Sequence, residues 1–134
     1  MTEIFLDTSY VIALVNKKDQ YHERAAEMAR VLGDQVLVTT DAVLFEVGNG
    51  LARNFKAEAI AVIEEFLNSD EVRIISVDTQ LFQRGFDIYK TYQDKAWGLV
   101  DCISFIIMRE SGIADALTTD DHFEQAGFNV LLKS

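Results

Sequence analysis

Short apolar runs alternate along this chain with longer stretches whose apolar residues recur every three or four positions. The run at 3–6 (EIFL) reads as a strand that stops at Asp7-Thr8-Ser9. A short helix is predicted over 10–15 and a longer one over 21–32, where alanines mix with well-spaced charges. A second strand is predicted at 35–38 (QVLV), followed by Thr39-Thr40-Asp41, which is helix N-terminal chemistry. Helices over 41–54 and 56–67 come next, then a third strand at 72–77 (VRIISV). Asp78 is placed to cap a helix running to about 92, and 100–110 reads as an apolar helix. The chain closes with a strand at 114–117 (ADAL), a short helix at 121–125 and a last strand at 129–132 (NVLL). Short β-rich runs alternating with helical segments imply a three-layer α/β domain, with a central parallel sheet of about five strands flanked by helices.

No linker, repeat or low-complexity segment interrupts this pattern, so residues 1–134 read as a single domain. Proline is absent, which leaves glycine and the small polar residues to punctuate the chain. The single cysteine, Cys102, excludes a disulfide framework and a cysteine-based zinc site. Apolar stretches such as 10–15 and 103–108 are far short of the roughly 20 residues that span a bilayer. The first residues carry Glu3 and Asp7 without an early basic cluster, so they do not read as a signal peptide, and a cytoplasmic protein is expected.

Charge complicates the choice of function. The chain has 22 acidic and 12 basic residues, a net of −10. That argues against phosphate binding through a broad basic patch. It does not argue against a phosphate substrate reached through metal ions, which invert the local charge logic. Lys17, Lys18, Arg53 and Lys56 are the basic residues singled out as able to track a nucleic-acid backbone.

Four carboxylates stand in costly places. Ligands of an open parallel sheet gather at the carboxyl ends of its strands, and Asp7 and Asp120 follow two predicted strands. Glu46 lies inside Val43-Leu44-Phe45-Glu46-Val47, and Asp101 inside Leu99-Val100-Asp101-Cys102-Ile103. Plain alternatives exist. Asp7 and Asp101 suit helix N-termini, Glu46 has Arg53 two turns later, and Asp120-Asp121 are ordinary first-turn acids. Taken together, however, the four have few basic residues near them in sequence, and a divalent cation is the natural countercharge. All-oxygen ligands select Mg²⁺ or Mn²⁺ over zinc, and carboxylate-held ions of this kind favour phosphodiester hydrolysis.

Phe5-Leu6-Asp7-Thr8-Ser9, Phe45-Glu46-Val47, the segment 97–105 (WGLVDCISF) and the segment 116–128 (ALTTDDHFEQAGF) together resemble the PIN-domain proteins of the VapC toxin type. The resemblance spans essentially the whole chain in the right order. It implies a metal-dependent endoribonuclease whose acidic quartet maps to Asp7, Glu46, Asp101 and Asp120. In that reading Asp7 and Asp101 contact Mg²⁺ or Mn²⁺, Glu46 and Asp120 complete the site, and cleavage leaves a 5′-phosphate and a 3′-hydroxyl. Thr8 would orient Asp7 or a substrate phosphate, and Thr118 matches a polar position before the last acid. Two departures stand out. Val100 occupies a position where the family often has a hydroxyl, and Asp121 beside Asp120 makes the fourth acid ambiguous, although the spacing to His122-Phe123 favours Asp120. The resemblance further implies an RNA substrate, a cognate antitoxin placing a basic residue among the acids, and a homodimer.

Competing readings are a non-toxin PIN nuclease and a catalytically silent PIN module serving as a scaffold. Phosphotransfer of the haloacid-dehalogenase type is disfavoured, because Ser9 stands where a second acid is needed. His122 is expected in a structural hydrogen bond or at substrate, Cys102 and Trp97 in packing, and Gly48-Asn49-Gly50 at a close helix contact rather than a phosphate loop.

Overall fold

The computed structural model describes residues 2–133. Five parallel strands, β1 (Ile4–Leu6), β2 (Leu37–Thr40), β3 (Val72–Ile75), β4 (Asp115–Leu117) and β5 (Asn129–Val130), form one sheet in the order β3-β2-β1-β4-β5. The chain therefore starts in the middle, winds outward through β2 to β3, then crosses back to β4 and continues to β5. With right-handed crossovers, that reversal sends the connecting helices to opposite faces. The first group comprises α1 (Thr8–Val15), α2 (His22–Leu32), α3 (Asp41–Leu51) and α4 (Lys56–Asn68). The second comprises α5 (Thr79–Thr91), α6 (Leu99–Ser111) and α7 (Asp121–Gln125). This is the three-layer arrangement that the alternation predicts.

The core sits between the sheet and these two groups. Phe5, Leu6, Val38, Ala116 and Leu117 are fully buried on the central strands. On the α6 side Phe105 meets Trp97 and Phe123 edge-on, at ring-centroid distances of 5.1 Å and 5.0 Å. Such tilted contacts add about 0.5–1.5 kcal/mol each beyond the area they bury. Trp97 also donates its indole N–H to Gln125 Oε1 at 2.9 Å, so it is the packing anchor expected.

Several element boundaries differ from the sequence expectation. β2 runs two residues further, because Thr39 stays in the ladder and donates its hydroxyl to the Leu6 carbonyl at 2.8 Å. Thr40 ends the strand and caps α3 at once, accepting from the Val43 N–H at 3.2 Å. A β-branched hydroxyl residue serves both roles, so a boundary drawn on composition falls early. Helix α3 ends at Leu51 rather than continuing to 54, and β5 is only two residues long. Asp78 caps α5 as expected, accepting from the Leu81 N–H at 2.8 Å.

Candidate active site

Register alone brings two of the four acids together. Leu6 pairs with Leu117, so the residues that follow, Asp7 and Thr118, leave the sheet side by side. This is the point where strand order reverses, and a crevice opens there because the adjoining crossovers diverge to opposite faces. The cleft at this point has a volume of about 390 Å³, and its lining includes Asp7, Glu46, Asp101, Asp120 and His122. Neither lysine nor arginine contributes to its walls.

Each acid arrives from a different element. Asp7 ends β1 and is buried, with only 5% of its surface exposed. It is the N-cap residue of α1 by backbone position, but its carboxylate makes no capping bond. Instead Oδ2 accepts from the Thr118 hydroxyl at 2.8 Å and from Ser9 at 3.3 Å. Thr118 Oγ1 in turn accepts from the Asp120 N–H at 3.0 Å, and Ser9 Oγ from the Thr119 N–H at 3.0 Å. The two hydroxyls lie 3.0 Å apart. These bonds tie the start of α1 to the loop after β4.

Asp101 sits in the first turn of α6, where its Oδ2 accepts from the Gly98 N–H at 3.0 Å and from His122 Nδ1 at 2.9 Å. The first bond is the reach-back half of a capping box. Asp120 caps α7 through the His122 N–H at 2.9 Å, and its carboxylate lies 3.2 Å from His122 Nδ1. Asp101, Asp120 and His122 each offer a ligand atom within 4.8 Å of the others, a grouping that could hold a metal ion.

Glu46 departs from expectation. Its flanking apolar residues suggested burial, yet Glu46 and Phe45 are both exposed, Phe45 at 69%. Helix α3 buries Val43, Leu44, Val47 and Leu51, which leaves positions 45 and 46 on the outward side. Among the described residues Glu46 pairs with neither Arg53 nor any other cation. Its Oε1 accepts from the Thr8 hydroxyl at 2.9 Å. Thr8 therefore holds Glu46 rather than orienting Asp7 through its side chain. Asp121 is not part of the cleft lining: it is more than half exposed and forms an ion pair with Lys133.

Electrostatics reflects this crowding. Burial pushes the Asp7 carboxyl up from 3.8 to about 7, opposed by the Thr118 hydrogen bond and reinforced by the charges of Asp101 and Asp120. Burial also raises the Asp101 carboxyl, against the bonds from His122 and Gly98. Partial desolvation at the rim raises Glu46, with the Thr8 bond acting the other way. Cys102, buried beside Asp101, is pushed up to about 11, which keeps it an inert thiol.

One contributor, Ser9, lay outside the expected site set. Ser9 had no site role assigned from the sequence, since two of its partners, Thr118 and Thr119, are over a hundred positions away. His122 was a candidate, and the structure gives it the hydrogen bond to Asp101.

The family model for the PIN domain matches residues 4–129. The chain belongs to the PIN-domain family. PIN nucleases depend on metal, and the acidic grouping here is compatible with one. A curated relative from Mycobacterium tuberculosis, the 23S rRNA-specific endonuclease VapC20, is 30% identical over 125 residues, covering 93% of this chain and 95% of the relative. The crystal structure of M. tuberculosis VapC20, described as a sarcin–ricin loop cleaving toxin, superposes on this PIN domain with a TM-score of 0.84, at 30% identity and with coverage of 93% and 95%. The VapBC2 complex of Rickettsia felis, bound to a promoter DNA fragment, matches with a TM-score of 0.65 at 13% identity, covering 96% of each chain. FitAcB of Neisseria gonorrhoeae matches at 0.64 and 18% identity, covering 95% of each chain. At these identities the last two speak for the fold alone. Among the described residues, no helix is long and apolar enough to cross a membrane.

Proposed function

We propose that this PIN domain is a metal-dependent endoribonuclease, acting as the toxin of a toxin–antitoxin pair in the cytoplasm. The observation that carries the reading is the convergence of Asp7, Glu46, Asp101 and Asp120 on one cleft that has no lysine or arginine in its lining. Carboxylates this close, in a partly dry site, need a countercharge. The donor set is oxygen-rich, which suits Mg²⁺ or Mn²⁺. Asp7, Asp101 and Asp120 would hold the ion, and its chemistry there is to polarise the scissile phosphate and lower the pKa of water.

The remaining work falls to the chain itself. Thr118 and Ser9 fix the rotamer of Asp7, while His122 and the Gly98 N–H fix that of Asp101. Glu46, held through Oε1 by Thr8, lines the cleft and has no hydrogen bond to Oε2 among the described residues. Its raised pKa suits it to take a proton from the attacking water at that atom. Hydrolysis then adds water across a P–O bond. Kinship with a 23S rRNA-specific endonuclease supports RNA as the substrate class. A cognate antitoxin and a second copy of the chain are the partners that the resemblance to VapC-type toxins implies.

The test is cleavage of purified 23S ribosomal RNA in Mn²⁺ or Mg²⁺, beside EDTA and an Asp7→Asn control. Cutting that needs metal and vanishes in the variant is expected. Equal cutting by variant and wild type would overturn the assignment of Asp7, and no cutting under any condition would favour a silent scaffold.

A further inference from the structure

The 12 basic residues of this acidic chain are not evenly engaged. Arg24, Arg73, Arg84, Lys90, Lys95 and Lys133 each reach a carboxylate. Arg109 donates to the Ala126 carbonyl and lies over the Phe128 ring. Of the five others, only Arg30 stands apart. Lys17, Lys18, Arg53 and Lys56 are all exposed and fall in two short segments, one just after α1 and one running from the α3–α4 connection to the first residue of α4. Those segments meet at a cleft of about 550 Å³, lined by Lys17, Lys18, Asn54 and the half-buried Phe55, with Glu58 on its wall.

The position of this cleft follows from the topology. Helices α1 and α3 each follow a strand of one parallel sheet, and they pack side by side: a Cβ on Gly50 of α3 would lie 3.1 Å from Ile12 Cδ1 of α1. Helix α1 starts on the acidic cleft with Thr8 and α3 meets it at its middle with Glu46, while Val15 at the end of α1 and Asn54–Phe55 beyond α3 line the basic one. At 1.5 Å per residue, Thr8 to Val15 spans about 10 Å. That matches about three stacked nucleotides of one strand at 3.4 Å each.

We propose that the Lys17–Lys18/Asn54–Phe55 cleft is an RNA-binding subsite, holding the strand a few nucleotides from the bond cut at the acidic cleft. The inference rests on the nuclease reading above. Among the described residues these cations have no carboxylate partner, so they bind phosphates without first breaking an ion pair, and Phe55 offers an apolar wall on which a base can lie. The arrangement also resolves the charge problem: RNA is retained locally by the two lysines that line the cleft, with Arg53 and Lys56 next to its wall residues in sequence, while the rest of the surface repels it. An acidic peptide would find the same charges, but the placement of the two clefts at either end of α1, a few nucleotides apart, favours a nucleic-acid strand.

The experiment measures the kinetics of 23S ribosomal RNA cleavage in Mn²⁺ across a range of salt. It compares wild type with Lys17→Ala/Lys18→Ala, Arg53→Ala/Lys56→Ala, the charge-keeping Lys17→Arg/Lys18→Arg, and Arg30→Ala as a matched surface control. Each alanine pair is expected to lower kcat/KM about tenfold, mainly through KM, and to flatten the log–log salt slope by about 1.4, at 0.7 per contact. The arginine pair should restore both, and Arg30→Ala should match wild type. Wild-type cleavage with unchanged KM and slope in both alanine pairs would overturn the subsite alone, as it would if an acidic peptide were the occupant. A fall in kcat without a change in KM would overturn it too. Failure of the wild-type protein to cut RNA would instead remove the nuclease reading, and the subsite with it.

Discussion

Asp7 is the residue on which most of the site's electrostatics turns. Its folded carboxyl keeps a proton up to about pH 7, whereas the unfolded chain releases it near 3.8. Between those values the native state binds more protons, so this group's contribution to stability falls as pH rises through the window. At about 1.4 kcal/mol per pH unit the ceiling is ~4 kcal/mol. Asp7→Asn removes that penalty while keeping the side chain's size. In the absence of metal it should raise stability by about 1–3 kcal/mol at pH 8 and by little near pH 4, as read from urea denaturation at both pH values. Nuclease activity should fall at least 100-fold, since even groups behind a metal ligand cost 10–100-fold when removed. A variant less stable than wild type at pH 8 would contradict the cause given for the raised pKa. Thr118→Val tests the neighbouring bond. It deletes the donor to Asp7 and the acceptor of the Asp120 N–H, both in a buried setting, and should weaken metal binding about 10–100-fold in a Mn²⁺ titration. What the sequence disclosed at this scale was the acids, because Asp7 and Asp120 follow strands and Asp101 opens an apolar helix. Of their hydroxyl supports, Thr118 was legible only through the family resemblance and its contact with Ser9 stayed hidden, because the two are 109 positions apart and only the β1–β4 register joins them.

At the level of elements, glycine shows how packing and propensity compete. Gly85 lies buried where α5 crosses α6, and a Cβ there would stand 2.5 Å from Ile103 Cγ1. Gly48 in α3 has only Ile63 Cδ1 nearby, at 4.0 Å. Gly48→Ala should therefore gain the helix-propensity difference of about 0.5–1 kcal/mol. Gly85→Ala should lose about 1–3 kcal/mol through overpacking, and adding Ile103→Ala should cost less than the sum of the single changes. Thermal melts of the four variants decide this, and a Gly85→Ala protein as stable as wild type would contradict the close α5–α6 approach. The helices and strands themselves were readable from apolar spacing, as was the Asp78 cap. The errors cluster where one residue serves two elements, as Thr40 does, or where tertiary contact sets a face. Phe45 and Glu46 sit in an apolar run but look outward, because four other residues of α3 already fill its inner side.

Across the whole molecule, a chain of net charge −10 gathers four of its acids in one cleft without a lysine or arginine in its lining. Folding in the absence of metal thus works against its own electrostatics, and a divalent cation that binds only the folded state should shift the balance. At 100 times its dissociation constant such an ion contributes about 2.7 kcal/mol. For a chain of this length that is a rise in Tm of roughly 8–10 °C. The sign of its pH dependence follows from Asp7. Below about pH 7 the folded carboxyl holds a proton that the ion must displace, and above it the oxygen is already free. The Mn²⁺-induced rise should therefore be large at pH 8 and small at pH 5, and EDTA should abolish it at both. Asp7→Asn should lose most of the rise at pH 8 despite its greater stability without metal, which separates loss of a ligand from loss of the fold. Melting curves that superpose with Mn²⁺ and with EDTA at pH 8 would mean that the acidic cleft holds no ion in the folded protein, and the proposed chemistry would have to be abandoned with it.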